Sequence, residues 1–104
     1  MGEHVREITD ADFPAATAKG ITLVDFWAPW CGPCMRMGPV LEAVAQAEAN
    51  VKVCKVNVDE QQARAAEFGI NSIPALLVFK DGKLAKQLVG YHDQAALTAE
   101  LRAV

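Results

Sequence analysis

Two of the three cysteines, Cys31 and Cys34, stand three positions apart, where an apolar run gives way to a helical pattern. Two thiols at this spacing at a helix start can face each other and form a disulfide. A helix N-terminus also presents unpaired backbone N–H groups and the positive end of a dipole, which favour thiolate over thiol. Because the thiolate is the nucleophile in disulfide exchange, the pair predicts redox chemistry. We expect Cys31 to be the exposed attacking sulfur and Cys34 the more buried resolving one.

The same spacing also occurs in zinc sites, which need two further ligands in a similar arrangement. The remaining candidates, Cys54, His4 and His92, are scattered along the chain. A purely structural disulfide is disfavoured in so tight a loop. We therefore expect a redox pair and no metal, and we interpret Cys54, which lies in a Val-rich run, as a small buried hydrophobic residue.

The elements that must position the pair alternate between β-branched apolar runs and Ala-, Glu- and Gln-rich stretches, which is typical of α/β proteins. Strands are predicted at 5–8, 21–28, 51–58, 75–79 and 84–89. Helices are predicted to begin near Asp10 or Asp12, and to run from about 34 to 48, between 59 and 69, and after 93. The result is a mixed sheet with helices on both faces.

Turn and capping residues set the expected boundaries of these elements. Asp81-Gly82 predicts a tight antiparallel hairpin between the last two strands. Asp59 is expected to cap the third helix, and Gly69 to end it in a left-handed conformation. Asp93 is expected to open the last helix, and Pro39 to bend the second.

Composition narrows the class of protein. The chain has 104 residues, of which 52% are hydrophobic and 22% charged, and its net charge is −3. We expect one domain over residues 1–104, and neither nucleic acid nor a polybasic membrane surface as a partner. Neither a run of roughly 20 apolar residues nor the apolar stretch of a secretion signal is found, which favours a soluble cytoplasmic protein.

The segment from Val24 to Cys34, VDFWAPWCGPC, resembles the active-site segment of the thioredoxin family. A lone C-x-x-C is a modest signal, but further landmarks follow in order along nearly the whole chain: Pro39, Lys55, Ile73-Pro74 and Val89-Gly90. The resemblance implies a thioredoxin fold, with a central mixed five-stranded β-sheet flanked by four α-helices.

Asp25 interrupts an apolar strand, where it shares a face with Leu23 and Trp27. The pattern alone favours a strand-end carboxylate that reaches water. The resemblance instead implies a buried aspartate that exchanges a proton with Cys34. Burial would raise the pKa of Asp25 and lower the stability of the fold at neutral pH. Lys55, in the next strand, either biases Asp25 electrostatically or extends out of the sheet as an ordinary lysine.

The resemblance also implies a cis peptide bond at Ile73-Pro74, facing the cysteines, where an extended substrate segment could pair with the backbone. Trp27, Trp30, Gly32 and Pro33 are expected to shape the active site. A flat apolar docking patch around Cys31 is expected from Trp30, Gly32, Pro33, Ile73, Pro74, Val89 and Gly90.

Two positions depart from the family pattern. Met35 follows the cysteine pair where Lys or Arg is common, and Ala75 follows Pro74 where threonine is often found. The first change removes a local positive charge. Both leave the choice of partner open.

The expected function is general protein-disulfide reduction. Cys31 attacks a disulfide of a substrate protein, Cys34 resolves the intermediate, and an external thioredoxin reductase reduces the monomeric chain again, with no bound cofactor. Two alternatives stay open: an oxidase or isomerase that runs the exchange the other way, and a binding module whose cysteines are incidental. The reductase could be NADPH- or ferredoxin-linked.

Overall fold

A computed structural model describes residues 4–104, which form a five-stranded sheet and four helices. The elements in chain order are β1 (Val5–Glu7), α1 (Phe13–Thr17), β2 (Ile21–Trp27), α2 (Gly32–Ala47), β3 (Val51–Asn57), α3 (Ala63–Glu67), β4 (Ala75–Lys80), β5 (Lys83–Val89) and α4 (Gln94–Arg102). The predicted fold class is confirmed. No helix in this part of the chain is long and apolar enough to cross a membrane.

The sheet is mixed, with the strand order β1-β3-β2-β4-β5. Strands β1 and β2 both pair with β3 in parallel, whereas β4 is antiparallel to both β2 and β5. The central strand β2 therefore has a parallel neighbour on one side and an antiparallel neighbour on the other. Its residues 22–26 are all buried, as expected of a strand that is covered on both faces.

Side-chain alternation divides the core between the two faces of the sheet. Helices α1 and α3 pack on one face, where Phe13 and Phe79 meet edge-on with ring centroids 5.3 Å apart. Helices α2 and α4 pack on the other through Met37, Leu41, Leu97 and Leu101. Each such buried side chain stabilises the fold by about 1.5–3 kcal/mol. Asp25 alternates with Val24 and Phe26, so it faces α2 and α4 rather than the aromatic cluster.

Most of the predicted local boundaries are confirmed. The hairpin turns at Asp81 and Gly82, both at positive φ, and Gly69 follows α3 with φ of 64°. The Asp93 carboxylate accepts a hydrogen bond from the backbone N–H of Ala96 at 2.8 Å and so caps α4. Helix α2 begins at Gly32, earlier than predicted, because Pro33 fits the first turn of a helix.

The predicted cap of α3 is wrong. Asp59 lies four residues before Ala63, where α3 begins, and its side chain makes no capping bond to it. The carboxylate of Asp10, in the loop after β1, accepts hydrogen bonds from the backbone N–H groups of Ala63 and Arg64, each at 3.1 Å. The orphan donors of α3 are therefore satisfied from a distant part of the chain.

Candidate active site

The cysteine pair lies at the junction between β2 and α2. Cys31 is the N-cap residue of α2 in an extended conformation, and Cys34 lies in the first helical turn. They form a disulfide with their Cα atoms 5.2 Å apart. The Sγ atom of Cys31 accepts a hydrogen bond from the backbone N–H of Cys34 at 3.2 Å. This sulfur therefore lies at the positive end of the helix dipole.

The expectation of an exposed Cys31 is wrong. Its exposed fraction is 6%, against 3% for Cys34, so both are buried. Ala28 lies in the same buried cluster, and Ile73 packs against it. The carbonyl oxygen of Ile73 is 3.8 Å from Sγ of Cys31. These neighbours leave only a small area of Cys31 exposed to solvent. A substrate disulfide must therefore approach this area closely in order to react.

Asp25 is 2% exposed, so the carboxylate that reaches water is excluded and the burial implied by the resemblance is confirmed. Its Oδ1 atom has no hydrogen-bond partner among the described residues. Burial is the largest influence on its pKa, which rises from 3.8 to about 7. The positive charge of Lys55 opposes this rise, and the negative charge of Glu7 adds to it.

Lys55 lies directly opposite Asp25 on the neighbouring parallel strand and opposite Glu7 on the other side. Its Nζ atom is 4.4 Å from the centroid of the Trp27 ring, a cation–π geometry. The indole Nε1–H of Trp27 donates a hydrogen bond to Oε2 of Glu7 at 3.2 Å. No local sequence pattern identifies Glu7 as part of the site, because only the pairing of β1 with β3 places it beside Lys55.

The cis peptide bond at Ile73-Pro74 is confirmed. It precedes β4 and is tied to the end of β5, since the backbone N–H of Gly90 donates to the carbonyl oxygen of Pro74 at 2.8 Å. Val89 pairs with Ala75 and is 58% exposed. Pro74 itself is buried, so its side chain does not belong to the exposed surface as expected.

Trp30 is the most exposed large apolar residue near the disulfide, at 71%. Its indole Nε1–H donates to the Asp59 carboxylate at 3.1 Å. The sequence pattern predicted Asp59 as a helix cap, but its carboxylate instead binds the Nε1–H edge of the Trp30 ring. Trp30 and Ile73 share a cavity of about 200 Å³ with Val58, Ala65, Ile70 and Asn71. Gly32 and Pro33, next to the cysteines, are also exposed.

Cys54 faces the other side of the sheet, within the core under α1 and α3. Burial raises the pKa of its thiol against the opposing charges of Arg6 and Lys52. Its interpretation as a core residue is confirmed.

His4 pairs with Glu42, away from the disulfide. Within residues 4–104, no cluster of three or more His, Cys, Asp or Glu side chains could hold a metal ion.

A disulfide at the N-terminus of a helix, with a buried carboxyl group on the adjoining strand, defines a thiol–disulfide oxidoreductase. The family model described as Thioredoxin matches residues 4–103. The chain therefore belongs to the thioredoxin family and is a disulfide oxidoreductase.

Similar proteins agree with this assignment. The chain is 51% identical over 96 residues to a thioredoxin of Alicyclobacillus acidocaldarius, covering 90% of this chain and 91% of that protein. It is 48% identical over 90 residues to a thioredoxin of Bacillus subtilis, covering 86% of each. The solved structure of a mutant thioredoxin from Halobacterium salinarum superimposes with a TM-score of 0.91 at 32% identity, covering 96% of this chain and 89% of that one.

Proposed function

We propose that this chain is a general reductase of protein disulfides, acting in the cytoplasm as a monomer with one domain over residues 1–104. The observation that carries the proposal is the Cys31–Cys34 disulfide at the N-terminus of α2. The bacterial thioredoxins to which it is similar support the cytoplasmic location.

In the first step, the thiolate of reduced Cys31 attacks one sulfur of a substrate disulfide. The substrate S–S bond breaks, a mixed disulfide with Cys31 forms, and the other substrate sulfur leaves as a thiolate that takes up a proton. The backbone N–H of Cys34, 3.2 Å from Sγ of Cys31, supports the negative charge on the attacking sulfur.

In the second step, the thiolate of Cys34 attacks Sγ of Cys31, the mixed S–S bond breaks, and the second substrate sulfur leaves as a thiolate that takes up a proton. The substrate has then gained two electrons and two protons, and the chain has lost them. Asp25 takes the proton of Cys34 for this step, through a water molecule. A pKa of about 7 suits a group that exchanges protons near neutral pH, and Lys55 tunes that value from the adjacent strand.

Substrate binding is assigned to the surface beside Cys31. Trp30 and Val89 supply exposed apolar area, and Ile73, Pro74 and Gly90 supply the backbone between them. An extended substrate segment would pair with the backbone at Ile73 as an added strand. Trp27, Gly32 and Pro33 shape the site around the cysteines.

The oxidised chain needs two electrons and two protons to return to the dithiol. We assign their supply to an external thioredoxin reductase, with no cofactor bound by the chain itself. Family membership supports this partner.

The test is the reduction of insulin disulfides with NADPH and a thioredoxin reductase, and in parallel with a ferredoxin-linked reductase. Cys31→Ser should abolish turnover, and Cys34→Ser should accumulate a mixed disulfide between Cys31 and substrate. Cys54→Ala is the matched control and should keep its turnover. Failure with both reductases, together with a strongly oxidising reduction potential, would favour the oxidase or isomerase instead.

A further inference from the structure

Glu7 is an exposed residue on the edge strand β1, and it belongs to a chain of contacts that ends at Asp25. The Cα atoms of Glu7 and Lys55 are partners across β1 and β3, and those of Lys55 and Asp25 across β3 and β2. Because paired positions on parallel strands point to the same face, all three side chains lie on the face that α2 covers. The three charges therefore form a row across the sheet.

Trp27 contacts the first two members of this row, Glu7 and Lys55. Its indole N–H donates to the Glu7 carboxylate, and its ring face lies 4.4 Å from the ammonium of Lys55. The described residues contain four ion pairs, and Lys55 belongs to none of them. The Lys55 ammonium therefore contacts the Trp27 ring, which the Glu7 carboxylate holds in place, and it forms no direct ion pair with a carboxylate among the described residues.

We propose that Glu7 is a positioning residue for disulfide exchange: by fixing the Trp27 indole it keeps the ammonium of Lys55 over the ring and off the Asp25 carboxylate. This inference rests on the proton-exchange role proposed for Asp25. Glu7 acts in two ways, through its own negative charge and through the position of Lys55. Both make the ionised form of Asp25 less favourable.

The other elements packed against Asp25 bring few competing charges. Its partner on β4 is Leu76, which is apolar, and the buried residues of α4 are Leu97 and Leu101. The start of helix α2 contributes Cys31 and Cys34, whose sulfur atoms do not titrate while they are joined in a disulfide. The oxidised protein therefore isolates the effect of Glu7 and Lys55 on Asp25.

The experiment titrates the Asp25 carboxyl carbon by NMR in the oxidised protein. Glu7→Gln removes the charge but keeps an acceptor for the indole, so the midpoint of Asp25 should fall by roughly 0.3 pH unit. Glu7→Ala also releases the indole and lets Lys55 approach, so the fall should be about twice as large. Glu67→Gln makes the same change in net charge on α3, across the sheet, and should leave the midpoint unchanged.

A second set of variants tests the part played by Lys55. In a Lys55→Met background the shifts from Glu7→Gln and Glu7→Ala should become equal, because no ammonium is left to reposition. If Glu7→Gln and Glu7→Ala shift the Asp25 midpoint equally while Lys55 is present, the positioning role is overturned. It is also overturned if neither shift is larger than that of Glu67→Gln.

The proposed role of Asp25 is checked separately, by the pH profile of insulin reduction. Part of the pH dependence of insulin reduction should follow the ionisation of Asp25. In Glu7→Gln this part of the profile should shift to lower pH by the same amount as the NMR midpoint of Asp25. If Asp25→Asn leaves that profile unchanged, the proton-exchange role of Asp25 fails. The NMR midpoints still decide whether Glu7 controls the charge near Asp25.

Discussion

Asp10 and Arg64, which are 54 positions apart, are joined by two hydrogen bonds. The backbone N–H of Arg64 donates to Oδ1 of Asp10, and Nε of Arg64 donates to the backbone carbonyl of Asp10, both at 3.1 Å. The same carboxylate accepts from the backbone N–H of Ala63. Since α3 has only five residues, it is too short to be stable alone, and this contact anchors its start to the loop after β1.

Asp10→Ala should lower the free energy of unfolding by about 1–2 kcal/mol, as the loss of a helix cap does. Asp10→Asn, which keeps an acceptor, should recover part of the loss. Asp59→Ala is the control, because Asp59 follows β3 but bonds to the Trp30 indole rather than to α3. Urea unfolding at pH 7 measures all three, and a larger loss for Asp59→Ala than for Asp10→Ala would refute the assignment.

Burial of Asp25 makes stability depend on pH. The folded state holds the proton more tightly than the unfolded state, because the pKa of Asp25 rises from 3.8 to about 7 on folding. The stabilisation is fully present below pH 3.8 and is lost as the pH rises toward 7. The full loss amounts to about 4 kcal/mol.

Asp25→Ala should therefore be more stable than the wild type at pH 7, by on the order of 2 kcal/mol, since part of the gain is offset by lost packing. Its disulfide exchange should be slower. Denaturant titrations between pH 4 and 8 test this, and the gain should shrink toward the acid end. Equal or lower stability at pH 7 would contradict the cost of burying the carboxylate.

Two exposed apolar residues on β5 offer a test of the docking surface. Val89, 58% exposed, lies at the end of β5 tied to Pro74, whereas Leu84, 42% exposed, lies near the hairpin turn. Val89→Ser should raise KM for insulin by about 3–10-fold through lost apolar contact. Leu84→Ser should leave KM unchanged, and neither variant should alter the reduction of a small-molecule disulfide. Equal effects at the two positions would argue against a docking surface beside Cys31.

Cys54 should contribute to packing alone. Cys54→Ala should cost about 1 kcal/mol of unfolding free energy and leave insulin reduction unchanged, whereas Cys54→Ser should cost more because it buries a hydroxyl. In the folded oxidised protein the thiol should react with a thiol reagent much more slowly than after unfolding. Rapid labelling of the native protein would show that Cys54 is accessible.

Local sequence patterns predicted the features that depend on residues close together in the chain. The Asp81-Gly82 turn, the αL residue Gly69 and the Asp93 cap are each determined within a few residues, and the structure has all three. The position of Cys31 and Cys34 at the start of a helix follows from the same kind of signal, because the apolar strand and the helical pattern meet there.

The burial of Asp25 needed more than the local pattern. The pattern alone favoured a carboxylate at a strand end that reaches water, and only the resemblance to a family reversed that interpretation. The structure gives the physical reason: β2 is the central strand and is covered on both faces, so a carboxyl group in its middle cannot reach solvent.

The sequence by itself determined the redox pair, the order of strands and helices, and the residues that turn and cap the chain locally. Only the tertiary structure decided which distant side chains meet: Asp10 with α3, Asp59 with Trp30, and Glu7 with Trp27 beside Lys55. These contacts depend on how strands pair and how loops fold back, which neighbouring residues do not specify. The burial of Cys31 belongs with them, because it depends on Ile73, which only the folded chain brings against it.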